Sequence, residues 1–253
     1  MNFLYEDYLR NNADEATLRM VDIWKKISLE KVGYEIDIVV GNRKEHPHLK
    51  KSKDEVNTGW PIKHNSGKVY LALWMEKTIN PNYILISHEI GHWILKLQGF
   101  HAWKRKDQNN NNIQVLLSSL SSHIPLYNLQ RSIGQDPQKE INERAAHNVG
   151  IYLKDNESRD SISIIESALY ITDDILNCSN NLKEKLINAC KIKHPNTLKL
   201  VNKIQEISEF FDLYNSTENL KFSKSVIKEL KLNLGNWETV NNMELLKNML
   251  YNN

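Results

Sequence analysis

The run from Tyr83 to Leu97 constrains this chain more than any other stretch. Ile84, Leu85, Ile86, Ile90, Trp93, Ile94, Leu95 and Leu97 fall on nearly every face of a helix, so the helix must be buried on most sides. The same run carries His88, Glu89 and His92. Burying such groups without partners is costly, and one arrangement gives all three a purpose. Residues four apart share a helical face, so His88 and His92 can hold one zinc ion, with Glu89 placed to act as a base on zinc-activated water. Asn80 reads as the N-cap, Pro81 as the first helical residue and Gly99 as a left-handed stop. Gly91, lacking a side chain, lets a second element or a substrate approach closely.

On the N-terminal side, Asn12 or Asp14 can cap a helix with an apolar stripe of Met20, Ile23, Trp24 and Ile27, which Gly33 ends. Residues 34–40 alternate apolar and polar side chains and read as a half-buried strand closed by Gly41 and Asn42. Residues 43–59 are basic and irregular, and the absence of interleaved aromatics favours a solvated loop over a nucleic-acid contact; His46 and His48 are read as surface residues. The turn Asn65-Ser66-Gly67 introduces a strand over 68–74 that leads toward the His/Glu helix and can offer an edge to an extended peptide. Residues 104–112 read as an exposed polar loop. Ile113, Leu116, Leu117 and Leu120 then form a helical stripe that Pro125 breaks or bends.

Asp136-Pro137 opens a helix running to about residue 153, and helices are expected at 162–176, 182–192, 197–213, 223–232 and 243–251. The expected fold is α+β: a metallopeptidase-like domain over 1–155, with an inserted region at about 100–135, then an all-helical region over 156–253 suited to docking a partner.

The 33 Lys and Arg residues nearly balance 31 Asp and Glu, so no global charge points to nucleic acid or a membrane surface. Cys178 and Cys190 are too few for a thiolate metal site. No segment has the ~18 uninterrupted apolar residues needed to span a bilayer, and the N-terminus has no basic start followed by an apolar core. A cytoplasmic protein is expected.

A catalytic zinc site usually has three protein ligands and an open position. A third histidine six residues after His92 is ruled out by Gln98. The helix after Pro137 carries Glu140, Glu143, His147 and Gly150 on one stripe; Glu143 is preferred to Glu140 as the third ligand. His123, Tyr127 and His147 are candidates for the donor that stabilises an oxyanion.

His88-Glu89-Ile90-Gly91-His92, followed by Ile141-Asn142-Glu143-Arg144-Ala145-Ala146-His147, resembles the gluzincin arrangement, in which a glutamate on a second helix completes the zinc site. Together with the preceding strand and Asn148, these residues resemble the ImmA/IrrE-like family over about residues 15 to 155; His147 stands where that family usually has Asn or Asp. The resemblance implies a short twisted sheet packed on the His/Glu helix and a second glutamate helix. It also implies one zinc held by His88, His92 and Glu143, Glu89 as general base, and hydrolysis of a peptide bond in a specific protein or peptide. The implied target is often a helix-turn-helix repressor, with no direct contact to nucleic acid or membrane. A non-hydrolytic, metal-dependent sensor or binding protein on the same scaffold is the alternative.

Overall fold

The computed structural model describes residues 4–45, 58–76, 81–106 and 112–251. Ten α-helices and a small mixed sheet make the described residues α+β and mostly helical. His46, His48 and Asn80 lie outside them. None of the described helices is long and apolar enough to cross a membrane.

The chain divides into two compact units, each built from separate stretches of sequence. The first comprises Met1–Gln98, Leu126–Gln135 and Asn241–Asn253; the second comprises Gly99–Pro125 and Asp136–Val240. The division therefore does not fall at residue 155, and the last helix belongs with the N-terminal residues.

In the first unit, β1 (Leu4–Tyr5), β2 (Asp37–Asn42), β3 (Thr58–Lys63) and β4 (Val69–Met75) form one sheet in the order β1-β2-β4-β3. The central β2 and β4 are parallel, and the outer pairs are antiparallel. The expected half-exposed strand proves to be central. Ile38 and Val40 join the main core, while Val39 packs with Ala72 and Trp74 on the opposite face. Alternation in the sequence reported a two-sided strand whose second side is also covered.

The short α1 (Glu6–Asn12) precedes α2 (Glu15–Val32). Asp14 caps α2 by accepting from the Thr17 N–H at 2.7 Å, and Gly33 ends it at φ +76°, as the sequence suggested. Trp24 ties α2 to the chain just before β2 by donating from Nε1 to the Ile36 carbonyl at 2.7 Å. The His/Glu helix, α3 (Tyr83–Leu97), is capped by Asn82: its side chain accepts from the Ile84 N–H at 3.0 Å, and Pro81 precedes the helix. Gly99 adopts φ +96° beyond its end. At the C-terminus, α10 (Asn242–Tyr251) buries Leu246 in the same core, and the Tyr251 hydroxyl donates to the Val32 carbonyl at 2.8 Å.

The helix α4 (Ile113–Ser132) is unbroken by Pro125. A proline leaves the carbonyl four residues earlier without its helical donor, here that of Ser121. Asn219 supplies the missing bond, donating from Nδ2 to the Ser121 carbonyl at 2.6 Å. From Leu126 onward α4 packs in the first unit, where a buried polar network locks it to α3. Gln130 Nε2 donates to the Ile84 carbonyl at 3.1 Å, and Gln135 Nε2 donates to Ser87 Oγ at 2.9 Å and Thr17 Oγ1 at 3.1 Å.

The second unit contains α5 (Gln138–Lys154), α6 (Ser161–Asn177), α7 (Asn180–Lys193), α8 (Pro195–Ser208) and α9 (Ser216–Glu229), with β5 (Ala102–Arg105) paired antiparallel to β6 (Trp237–Val240). The helix expected over 197–213 stops at Ser208, and α9 starts at Ser216 rather than 223. Asn215 decides that start by accepting from the Thr217 and Glu218 N–H groups.

Candidate metal centre

Beyond Ile86, four residues of α3 retain accessible surface: His88, Glu89, His92 and Lys96. The remaining positions are buried by the sheet, by α2 and by the end of α4. His88 Nε2 and His92 Nε2 lie 3.1 Å apart, their rings nearly perpendicular at 89°. Gly91 shows why the helix is bare on its neighbouring face. A Cβ there would sit 2.3 Å from Leu126 Cδ1, so the glycine exists to admit α4, not a substrate.

That close approach brings α4 to the histidine pair. The Tyr127 ring lies 5.8 Å from the His88 ring, and His123 stands one turn earlier on the same continuous helix. The ligand atoms of His88, His92 and His123 all lie within 4.8 Å of one another, a group of three that could hold a metal ion. Ligand nitrogens at ~2.0–2.1 Å from a tetrahedral ion stand a little over 3 Å apart, so the His88–His92 spacing already suits one. The other nitrogen of His123 supplies a second fit. Nδ1 meets Asp173 Oδ2 at 2.7 Å, leaving Nε2 to face an ion, and a carboxylate behind the imidazole is the usual way to fix a ligand histidine.

Asp173 is itself held. Arg144 donates from Nη2 to Asp173 Oδ2 at 2.9 Å and from Nε to Asp174 Oδ1 at 2.6 Å, and Asn148 Nδ2 donates to Asp174 Oδ2 at 2.5 Å. Burial raises the Asp174 carboxyl, while Arg144 and Asn148 act against that rise. Arg144, noted in the sequence only as a neighbour of a glutamate, thus supports the carboxylate behind His123, while Asn148 holds the adjoining Asp174. Asp173 was missed, although two consecutive acids between the apolar runs Leu169 to Ile171 and Ile175 to Leu176 are a readable sign of a buried network.

Glu89 lies beside the pair. Burial pushes its carboxyl up to about 8, opposed by the charge of Lys96 and by a hydrogen bond from the Gly59 N–H. Burial likewise pushes the Lys96 ammonium down to about 8, opposed by Glu89. Trp93 Nε1 donates to the Gly59 carbonyl at 2.8 Å, so both backbone groups of Gly59 are taken up by α3.

The strand expected to offer an edge, β4, lies inside the sheet; the edge strands are β1 and β3, and β3 is the one beside β4. Alternate residues of an antiparallel strand face its open side, here Gly59, Pro61 and Lys63. Gly59 is engaged by α3, and Pro61 has no N–H to donate, so this edge is poorly equipped to pair with a peptide.

The other expected residues lie elsewhere. Glu143 is exposed, its side chain 67% accessible, with Lys139 Nζ 3.9 Å away, and it is not a member of the metal-binding group. His147 is exposed, and the Gly150 backbone is open to solvent. Glu140 is half-buried, and its Oε2 has no hydrogen-bond partner among the described residues. Of the two glutamates, Glu140 has an oxygen that a cation could satisfy, while Glu143 is satisfied by solvent.

No family model matches the chain, and no curated protein or solved structure is detectably similar to it.

Proposed function

We propose that this chain is a zinc-dependent peptidase in which His88, His92 and His123 hold the ion and Glu89 is the general base. The observation that carries the reading is the His88–His92 pair, at 3.1 Å, sharing a partly open helix face with Glu89. Three neutral imidazoles with an open fourth position are a donor set suited to zinc. This set departs from the glutamate ligand that the ImmA/IrrE-like resemblance implies, so the resemblance supports the chemistry of the motif helix more than the identity of the third ligand.

When bound, zinc supplies Lewis acidity and brings the pKa of water down toward ~7. Glu89 accepts the proton of the attacking water and returns it to the leaving amine. A carboxyl raised toward 8 is a stronger base than an ordinary glutamate once ionised, and nearby positive charge favours the ionised form. Asp173 holds His123 by Nδ1 and fixes its tautomer. With His123 among the ligands, Tyr127, beside His88 on α4, is the remaining donor for the oxyanion.

The motif's likeness to ImmA/IrrE-like enzymes supports a single regulatory protein, such as a helix-turn-helix repressor, as the substrate, and cytoplasmic action. The sensor reading is separated from hydrolysis by Glu89→Gln. This variant keeps every ligand, so elemental analysis should find wild-type zinc content while peptide cleavage disappears. Cleavage at the wild-type rate in Glu89→Gln refutes the assignment of the base.

A further inference from the structure

Of the four residues that give α3 its open face, three form the proposed site and the fourth, Lys96, acts on it only through the effect of its charge on Glu89. At about 100° per residue, His88, His92, Lys96 and Glu89 fall within a sector of about 100°, with Lys96 between His92 and Glu89. Lys96 therefore lines the same opening, two turns further along. Its Nζ lies 4.1 Å from the centroid of the Trp93 ring, whose Nε1 donates to the Gly59 carbonyl.

Among the described residues no carboxylate stands within ion-pair distance of Lys96. A half-buried ammonium on so apolar a helix is expected to be paired. The helix C-terminus favours a cation at this position, but an exposed lysine would satisfy it equally well. The Trp93 face stabilises the ammonium only in part, and Lys96 keeps some accessible surface.

We propose that Lys96 is a specificity-determining residue that binds a carboxylate of the substrate, an inference that rests on the hydrolytic reading for the meaning of "substrate". Seven residues at ~1.5 Å place Lys96 about 10 Å along the helix from Glu89. An extended peptide advances about 3.3 Å per residue, so the carboxylate falls within about three residues of the scissile bond. It is either an acidic side chain or the chain terminus.

The test uses the full-length, zinc-loaded protein and two peptide libraries of random sequence, one with free and one with amidated C-termini, with cleavage sites read by mass spectrometry. The wild type should favour cleavage near a carboxylate. In Lys96→Met that preference should fall by about tenfold or more, with zinc content unchanged, and Lys96→Arg should restore it. Preference that persists in the amidated library assigns the carboxylate to Asp or Glu; preference lost there assigns it to the terminus. A wild type that cleaves without acidic preference, or a Lys96→Met profile equal to the wild type's, overturns the proposal. If the wild type cleaves neither library, retention of the peptides by zinc-loaded Glu89→Gln is measured instead. Acidic peptides retained by Glu89→Gln and lost from Glu89→Gln/Lys96→Met would leave Lys96 its role while hydrolysis fails; no acidic retention overturns the proposal.

Discussion

Gly91→Ala tests whether the close contact between α3 and α4 builds the metal centre. The added Cβ would stand 2.3 Å from Leu126 Cδ1, where carbon atoms in contact prefer ~3.5–4.0 Å, so leucine or helix must retreat by more than about 1 Å. Leu126 is 0% exposed and has no solvent to swing into. Overpacking of this kind costs about 1–3 kcal/mol, and the better helix propensity of alanine offsets about 1 kcal/mol. A net loss of up to about 2 kcal/mol in urea denaturation of the metal-free protein is expected. His123 and Tyr127 flank Leu126 on α4, so a retreating helix carries the third imidazole away from the pair on α3. Ligand geometry tolerates only about 0.5 Å, so zinc affinity, measured by competition with a chromophoric chelator, should fall about tenfold or more. Leu126→Ala alone should cost about 2–5 kcal/mol through its cavity. Combined with Gly91→Ala it should cost less, by a coupling of about 1–2 kcal/mol, and should recover zinc affinity. A Gly91→Ala protein as stable as the wild type, with unchanged affinity, refutes the reasoning.

His123→Ala should lose stoichiometric zinc by elemental analysis and Glu143→Ala should keep it; the reverse result would restore the ligand set that the sequence suggests. Asp173→Asn should weaken zinc binding by about 10–100-fold in a chelator titration, because the carboxylate behind His123 is replaced by an amide; unchanged affinity would remove His123 from the ligands. In metal-free protein below about pH 4.5, the side chain at this position is uncharged in both the wild type and the Glu89→Gln variant, and above about 8 the wild type alone carries a buried negative charge there. The stability of the wild type relative to Glu89→Gln should therefore fall by about 2 kcal/mol as pH rises from 4.5 to 8, after discounting for the partial exposure of this residue. A difference that does not vary with pH in denaturation curves would show that the carboxyl titrates normally.

Much of the local structure could be read from the chain. Asp14 and Gly33 bound α2 as expected, and the all-round apolar run from Tyr83 to Leu97 is buried as its pattern requires. Caps were legible because a side chain and the N–H it accepts from lie within three residues of each other. Pro125 misled for the opposite reason: the group that rescues its helix, Asn219, is far away in sequence. The exposure of Glu143 was not legible either, since a stripe on one helix records which residues share a face but not which face is covered.

By itself, the sequence determined the pair His88 and His92 and the glutamate beside them, because a spacing of four residues becomes a shared face through helix geometry alone. It also determined that this helix would be buried. Only the tertiary structure groups a third imidazole, that of His123, with the pair. Gly91 admits Leu126, Gln130 and Gln135 fasten the end of α4 to α3, and His123 pairs through Nδ1 with Asp173. Each of those contacts joins residues far apart in the chain, and long-range packing leaves no periodicity in a sequence.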